Sequence, residues 1–133
     1  MQSLAELFLY SPTDKLDHSF LFTVKLYTPP TPAYPSMRIH RVTVTTSQGT
    51  FEPTADETPI AKAGETITIR VYFEETAGNG GSIWGKIIDF DTKEVVGRKK
   101  TLEVDPYETG YWTWSLTMPD RDWHLECQIG HVE

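Results

Sequence analysis

The stretch TITIRVYF, residues 66–73, alternates without a break: Ile67, Ile69, Val71 and Phe73 point one way, and Thr66, Thr68, Arg70 and Tyr72 the other. Such a period of two marks a strand that lies on a core by one face and meets solvent by the other. Gly64 and Glu65 lead into it, and Ala77, Gly78, Asn79, Gly80 and Gly81 follow. Those residues reach positive φ at little cost, so the chain turns there. The alternation returns in YWTWSLTM, residues 111–118, with Trp112, Trp114, Leu116 and Met118 opposite Tyr111, Thr113, Ser115 and Thr117. These two segments predict the central strands of a β domain.

Working outward, residues 82–90 form a strand whose faces conflict, since Trp84, Ile88 and Phe90 share a side with Lys86, and Ile83 and Ile87 share the other with Gly85 and Asp89. The larger rings favour Trp84, Ile88 and Phe90 as the inner set, with Lys86 at the rim. Asp91, Thr92 and Lys93 make a polar turn into a strand from Val95 to near Val104, completing a hairpin. Its basic run Arg98, Lys99 and Lys100 is the kind that keeps an edge strand from pairing with another chain. After Asp105 and Pro106, and again after the turn at 119–122, new strands begin. The last one sets Trp123, Leu125, Cys127 and Ile129 against His124, Glu126 and Gln128. Five short strands over residues 64–132 with no helical period between them predict an all-β, antiparallel two-sheet sandwich.

Two strings, GETITIRVYFEETAGNGG (64–81) and YWTWSLTMPDRDWHLECQIGHV (111–132), resemble the immunoglobulin-like and fibronectin-III-like sandwiches of the cell-adhesion-related bacterial domain type. Such sandwiches are also found in archaeal, phage and viral surface proteins. The resemblance covers about the C-terminal half of the chain. It implies a non-enzymatic module without universal catalytic or ligand residues. The immunoglobulin cysteine pair is absent, because Cys127 is the single cysteine.

Upstream, residues 37–46 resume alternation through Ile39, Val42 and Val44, with an irregularity at His40 and Arg41 that reads as a bulge. Gln48 and Gly49 turn the chain, and residues 51–63 read as a loop. The predicted organisation is therefore an N-terminal extended arm over 1–36 and an immunoglobulin-like sandwich over 37–133. Within the arm, Ser3 and Glu6 form a capping box ahead of Leu4, Leu7 and Phe8 at helical spacing, which predicts a short amphipathic helix. A strand is predicted over 20–27, with Phe20, Phe22, Val24 and Leu26 on one face. Pro29, Pro30, Pro32 and Pro35 make the following segment an extended linker, and at ~3.1 Å per residue nine residues reach nearly 30 Å.

Composition narrows the function classes. The chain of 133 residues carries a formal net charge of −7, which argues against a nucleic-acid partner. No run has the apolar length of a membrane span, and residues 1–10 lack a signal-peptide pattern. A virion or cell surface is an expectation from the resemblance alone. Four scattered histidines give no zinc spacing, and Asp89, Asp91, Asp105, Asp120 and Asp122 read as turn residues before they read as calcium ligands. There is no nucleophile elbow and no phosphate loop, so no catalytic residue, metal or cofactor is assigned. The aromatics are the better lead: Tyr72, Tyr107 and Tyr111 fall on the outer face or in loops, where rings anchor protein interfaces or stack on sugars. The expectation is a structural subunit binding protein neighbours, as a homo-oligomer or larger assembly, through Leu4, Leu7, Phe8, Phe20, Phe22, Val24, Leu26 and those tyrosines. The alternative is a carbohydrate-binding module.

Overall fold

The structure, a computed structural model, describes residues 14–27 and 33–133. The chain divides into two compact units, Met1–Thr31 and Pro32–Glu133. Regular structure among the described residues lies in the second: β1 Met37–Thr46, β2 Gly49–Phe51, β3 Thr66–Glu75, β4 Gly81–Asp89, β5 Val95–Val104, β6 Thr109–Thr117 and β7 Leu125–His131, with one turn of 3-10 helix at Pro53–Ala55. They form two antiparallel sheets of order β2-β1-β3-β6 and β5-β4-β7. The fold is an all-β sandwich.

The two alternating stretches lie side by side. Ile67, Ile69 and Val71 of β3 face Leu116, Trp114 and Trp112 of β6 in register, and all six side chains are buried. Phe73 closes the row, its ring 4.9 Å from that of Trp112, which in turn meets Trp114 edge-on at 6.0 Å. Burying a side chain of this size contributes about 1.5–3 kcal/mol. The bulge expected at His40 is present, for the β1–β3 register shifts between Ile39 and Arg41.

β4 corrects the face assignment. Ile83, Gly85 and Ile87 point inward, Trp84 is only half-buried, and Phe90 is exposed. The reason lies across the sandwich: a Cβ at Gly85 would stand 2.1 Å from the Trp112 ring. The glycine is the socket for an indole of the other sheet, so its side of the strand must face in. Trp84 and Lys86 do share a side, the outer one, with the Lys86 ammonium 5.5 Å from the indole. Register shifts around Ile87 let Ile88 be buried as well.

One flank of the sandwich is tied shut. The Trp114 indole Nε1 donates to the Arg98 carbonyl at 2.8 Å, and Lys100 Nζ donates to the Thr113 carbonyl at 2.5 Å, so β5 and β6 are bonded across the two sheets. The other flank, between β1 and β7, holds a cleft of about 660 Å³.

In the first unit, residues 14–27 take no regular secondary structure, so the strand expected at 20–27 is not formed. Alternation is present there, but a strand also needs a ladder partner, and none is paired with it. Leu4, Leu7 and Phe8, with the expected helix, and Pro29, Pro30 and Pro32 of the linker lie outside the described residues. The sandwich unit reaches back beyond residue 37: Ser36 N–H donates to Glu75, Asn79 Nδ2 donates to the Tyr34 carbonyl, and the Tyr34 ring stacks on His131 at 5.6 Å.

Candidate interaction site

Of the three tyrosines, the fold brings two together. Tyr72 on β3 and Tyr111 on β6 are cross-strand neighbours, their rings 5.4 Å apart on the outer face of the four-stranded sheet. His40, displaced by the bulge, stacks on Tyr72 at 6.1 Å. The Arg41 guanidinium stands 5.2 Å from the Tyr72 centroid and that of Arg70 4.5 Å from Tyr111. The result is an aromatic and arginine strip, the composition enriched at the centres of protein interfaces. His40, Arg41 and Arg70 were not singled out in the sequence, although the irregularity at 40–41 was its visible trace.

Tyr107 stands elsewhere, in the turn between β5 and β6, with φ 60. Its N–H donates to Glu75 Oε1 at 3.2 Å. Its ring lies over Gly78, where a Cβ would come within 2.7 Å of the phenol oxygen and where φ is 76. The positive φ favours glycine there. Tyr107 therefore helps build a corner and does not extend the strip.

That corner is organised by Glu75, which is wholly buried. Oε1 accepts from the N–H groups of Gly78, Asn79 and Tyr107, and Oε2 from those of Ser36 and Ala77. Burial pushes its carboxyl up, but the backbone donors of Ser36, Ala77, Tyr107 and Asn79 outweigh that and hold it down at about 2. Asp89 does the same at the end of β4. It accepts from Arg121, from the Trp123 indole at 3.1 Å, and from Asp91 and Thr92 N–H. The Arg121 hydrogen bond, against the opposing effect of burial, keeps its carboxyl at about 2. Asp89 is thus a buried, saturated anchor and no solvated turn aspartate. Among the described residues no three His, Cys, Asp or Glu side chains converge as a metal ion would need. No helix among them is long and apolar enough to cross a membrane.

The arm residues contrast with the sandwich. Phe20, Phe22, Val24 and Leu26 are 80%, 69%, 82% and 89% exposed, as are Leu21 and Tyr27 of the opposite parity at 83% and 79%, and the Phe20 and Phe22 rings stack at 6.0 Å.

The cleft between β1 and β7 is lined by Ile39, Val42 and Val44 on one wall and Trp123, Leu125 and Cys127 on the other. Burial first, and the neighbouring Glu126 charge second, push the Cys127 thiol up to about 11, which leaves it a packing residue at neutral pH. No protein-family model, curated protein or solved structure matches the chain.

Proposed function

We propose that this protein is a non-enzymatic structural subunit, an immunoglobulin-like sandwich of a surface or virion assembly that is held to neighbouring subunits by its N-terminal arm. The observation that carries this reading is the strip Phe20, Phe22, Val24 and Leu26. Four large apolar side chains at alternate positions, all exposed, are surface that a monomer in water has reason to cover. The strip of Tyr72, Tyr111, Arg41 and Arg70 offers a second contact surface of the right composition. The virion or cell-surface setting rests on the resemblance of residues 64–81 and 111–132 alone.

The test is self-association of the full chain by light scattering or sedimentation. The expected result is a concentration-dependent mass increase that the double variant Phe20→Asp, Phe22→Asp abolishes without moving the melting temperature. A full chain that stays monomeric at every concentration, with no partner captured through the arm, overturns the reading.

The carbohydrate-binding alternative draws on the pairing of Tyr72 and Tyr111. A sugar stacks on an open ring face, however, and each ring already carries a guanidinium. On that alternative, glycan binding would be lost in Tyr111→Ala and would survive the arm variant.

A further inference from the structure

The two edges of the three-stranded sheet are finished differently. β5 carries Arg98, Lys99 and Lys100, whereas β7 has the sequence LECQIGH, with no lysine, arginine or proline. Charges and prolines are the devices that keep an edge from pairing; β7 carries a lone acidic residue, the exposed Glu126, against the run of three basic residues on β5, so the β7 edge is the less guarded of the two.

Its geometry is that of an acceptor. Phe90 N–H donates to the His124 carbonyl at 2.7 Å and Val132 N–H to the Ser82 carbonyl at 2.9 Å. In an antiparallel ladder the bonded residues alternate. The even-numbered residues from 124 to 132 therefore face β4, and Leu125, Cys127, Ile129 and His131 turn their N–H and C=O groups outward. Among the described residues no strand meets them. The side chains of Leu125, Cys127 and Ile129 pack on the core only in part, beside the cleft of about 660 Å³. A strand laid along this edge would bond to four outward residues and send every second side chain into the apolar opening.

The chain also holds a segment that needs such a place. Residues 20–26 match β7 in length, would as a strand place Phe20, Phe22, Val24 and Leu26 on one side, and have no ladder of their own. Each half by itself lacks a ladder: residues 20–26 take no regular structure, and the outer side of β7 pairs with no strand among the described residues, its one ring contact being Tyr34 on His131. We infer that the β7 edge and the β1–β7 cleft of one copy receive residues 20–26 of a second copy as an added strand. This rests on the assembly reading above and adds to it where the arm goes.

The decisive experiment uses the full chain with a photoreactive benzoylphenylalanine in place of Phe22, as an equimolar mixture of light and ¹⁵N-labelled copies. Mass spectrometry of the cross-linked peptides then separates links between copies from links within one. In parallel, amide hydrogen exchange is followed on the unmodified chain and on Phe22→Asp, whose side chain is exposed and outside the sandwich. Light-to-heavy links onto residues 125–131 or onto Val42 and Val44 are expected. The Cys127, Ile129 and His131 amides should exchange at least tenfold more slowly in the associated state, and Phe22→Asp should lose that protection. Arm-dependent association with links elsewhere and no protection on β7 overturns this acceptor while leaving the assembly reading intact. Links confined to single copies also overturn it, because the arm then closes its own cleft. A chain that never self-associates removes this acceptor, and removes the assembly reading too if no partner is captured through the arm.

Discussion

The two flanks of the sandwich solve the same problem in opposite ways. On the β5–β6 flank an indole N–H and a lysine ammonium cross from sheet to sheet and end on backbone carbonyls, and the strand at the edge is charged. On the β1–β7 flank there is a cleft, with Ile39, Val42 and Val44 on one wall, Trp123, Leu125 and Cys127 on the other, and Pro53, Thr54 and Pro59 of the following loop also lining it. The first flank spends its polar groups on the fold, and the second leaves backbone donors and apolar walls available to something else. The difference teaches that the two flanks lean on different forces, polar ties on one and partial apolar burial on the other, so mutations should sort by flank.

The largest expected effect is on the closed flank. Trp114→Ala removes a buried ring and an inter-sheet hydrogen bond and should cost about 3–5 kcal/mol, read as a lower urea midpoint. Leu125→Ala on the open flank, where burial is partial, should cost less than half as much. Equal losses would break the comparison.

Acid should come next. The Glu75 carboxyl lies at about 2 against an ordinary 4.5, and that of Asp89 at about 2 against 3.8. Both are lowered on folding, so their contribution is complete above pH 4.5 and is lost as pH falls toward 2. Melting temperatures should drop by several degrees over that window. Glu75→Gln and Asp89→Asn should each start less stable at neutral pH and flatten the acid limb. A limb unchanged in both variants would mean that neither corner is built as described.

Lys100→Met should cost about 1 kcal/mol, since it leaves the Thr113 carbonyl without its donor while the aliphatic stem stays in place. The smallest effect belongs to Cys127. With a thiol near 11, roughly one in a thousand is ionised at pH 8. Alkylation should therefore be slow and rise about tenfold per pH unit. Fast labelling at neutral pH would show that the open flank is wetter than its walls imply.

What could be read without coordinates follows the range of each interaction. The faces of β3 and β6 were legible because strict alternation is local and both strands obey it. The face of β4 was not, because Gly85 looks like a gap until Trp112, far away in sequence, is seen to fill it. β2 escaped notice because three residues beside a turn hold no period. Over residues 20–26 alternation alone predicted a strand that is not formed, since a ladder partner is not a local property. The tyrosine pair was half legible: the parity of Tyr72 and Tyr111 placed them outside, and only the register made them neighbours. The parity-free position of Tyr107 placed it in a loop, where it lies exposed; its N–H bond to Glu75 and its ring contact with Gly78 depend on residues distant in the sequence and left no local trace.

The Glu75 corner has a consequence for the order of folding. Its carboxylate collects donors 39 residues upstream at Ser36 and 32 residues downstream at Tyr107. Closing two long loops onto one side chain is entropically costly before the sheets exist. These bonds should therefore be absent from the folding transition state, and Glu75→Gln should speed unfolding while leaving the folding rate almost untouched. The corner then acts as a latch on an already assembled sandwich, setting how long the native state lasts more than how fast it is reached.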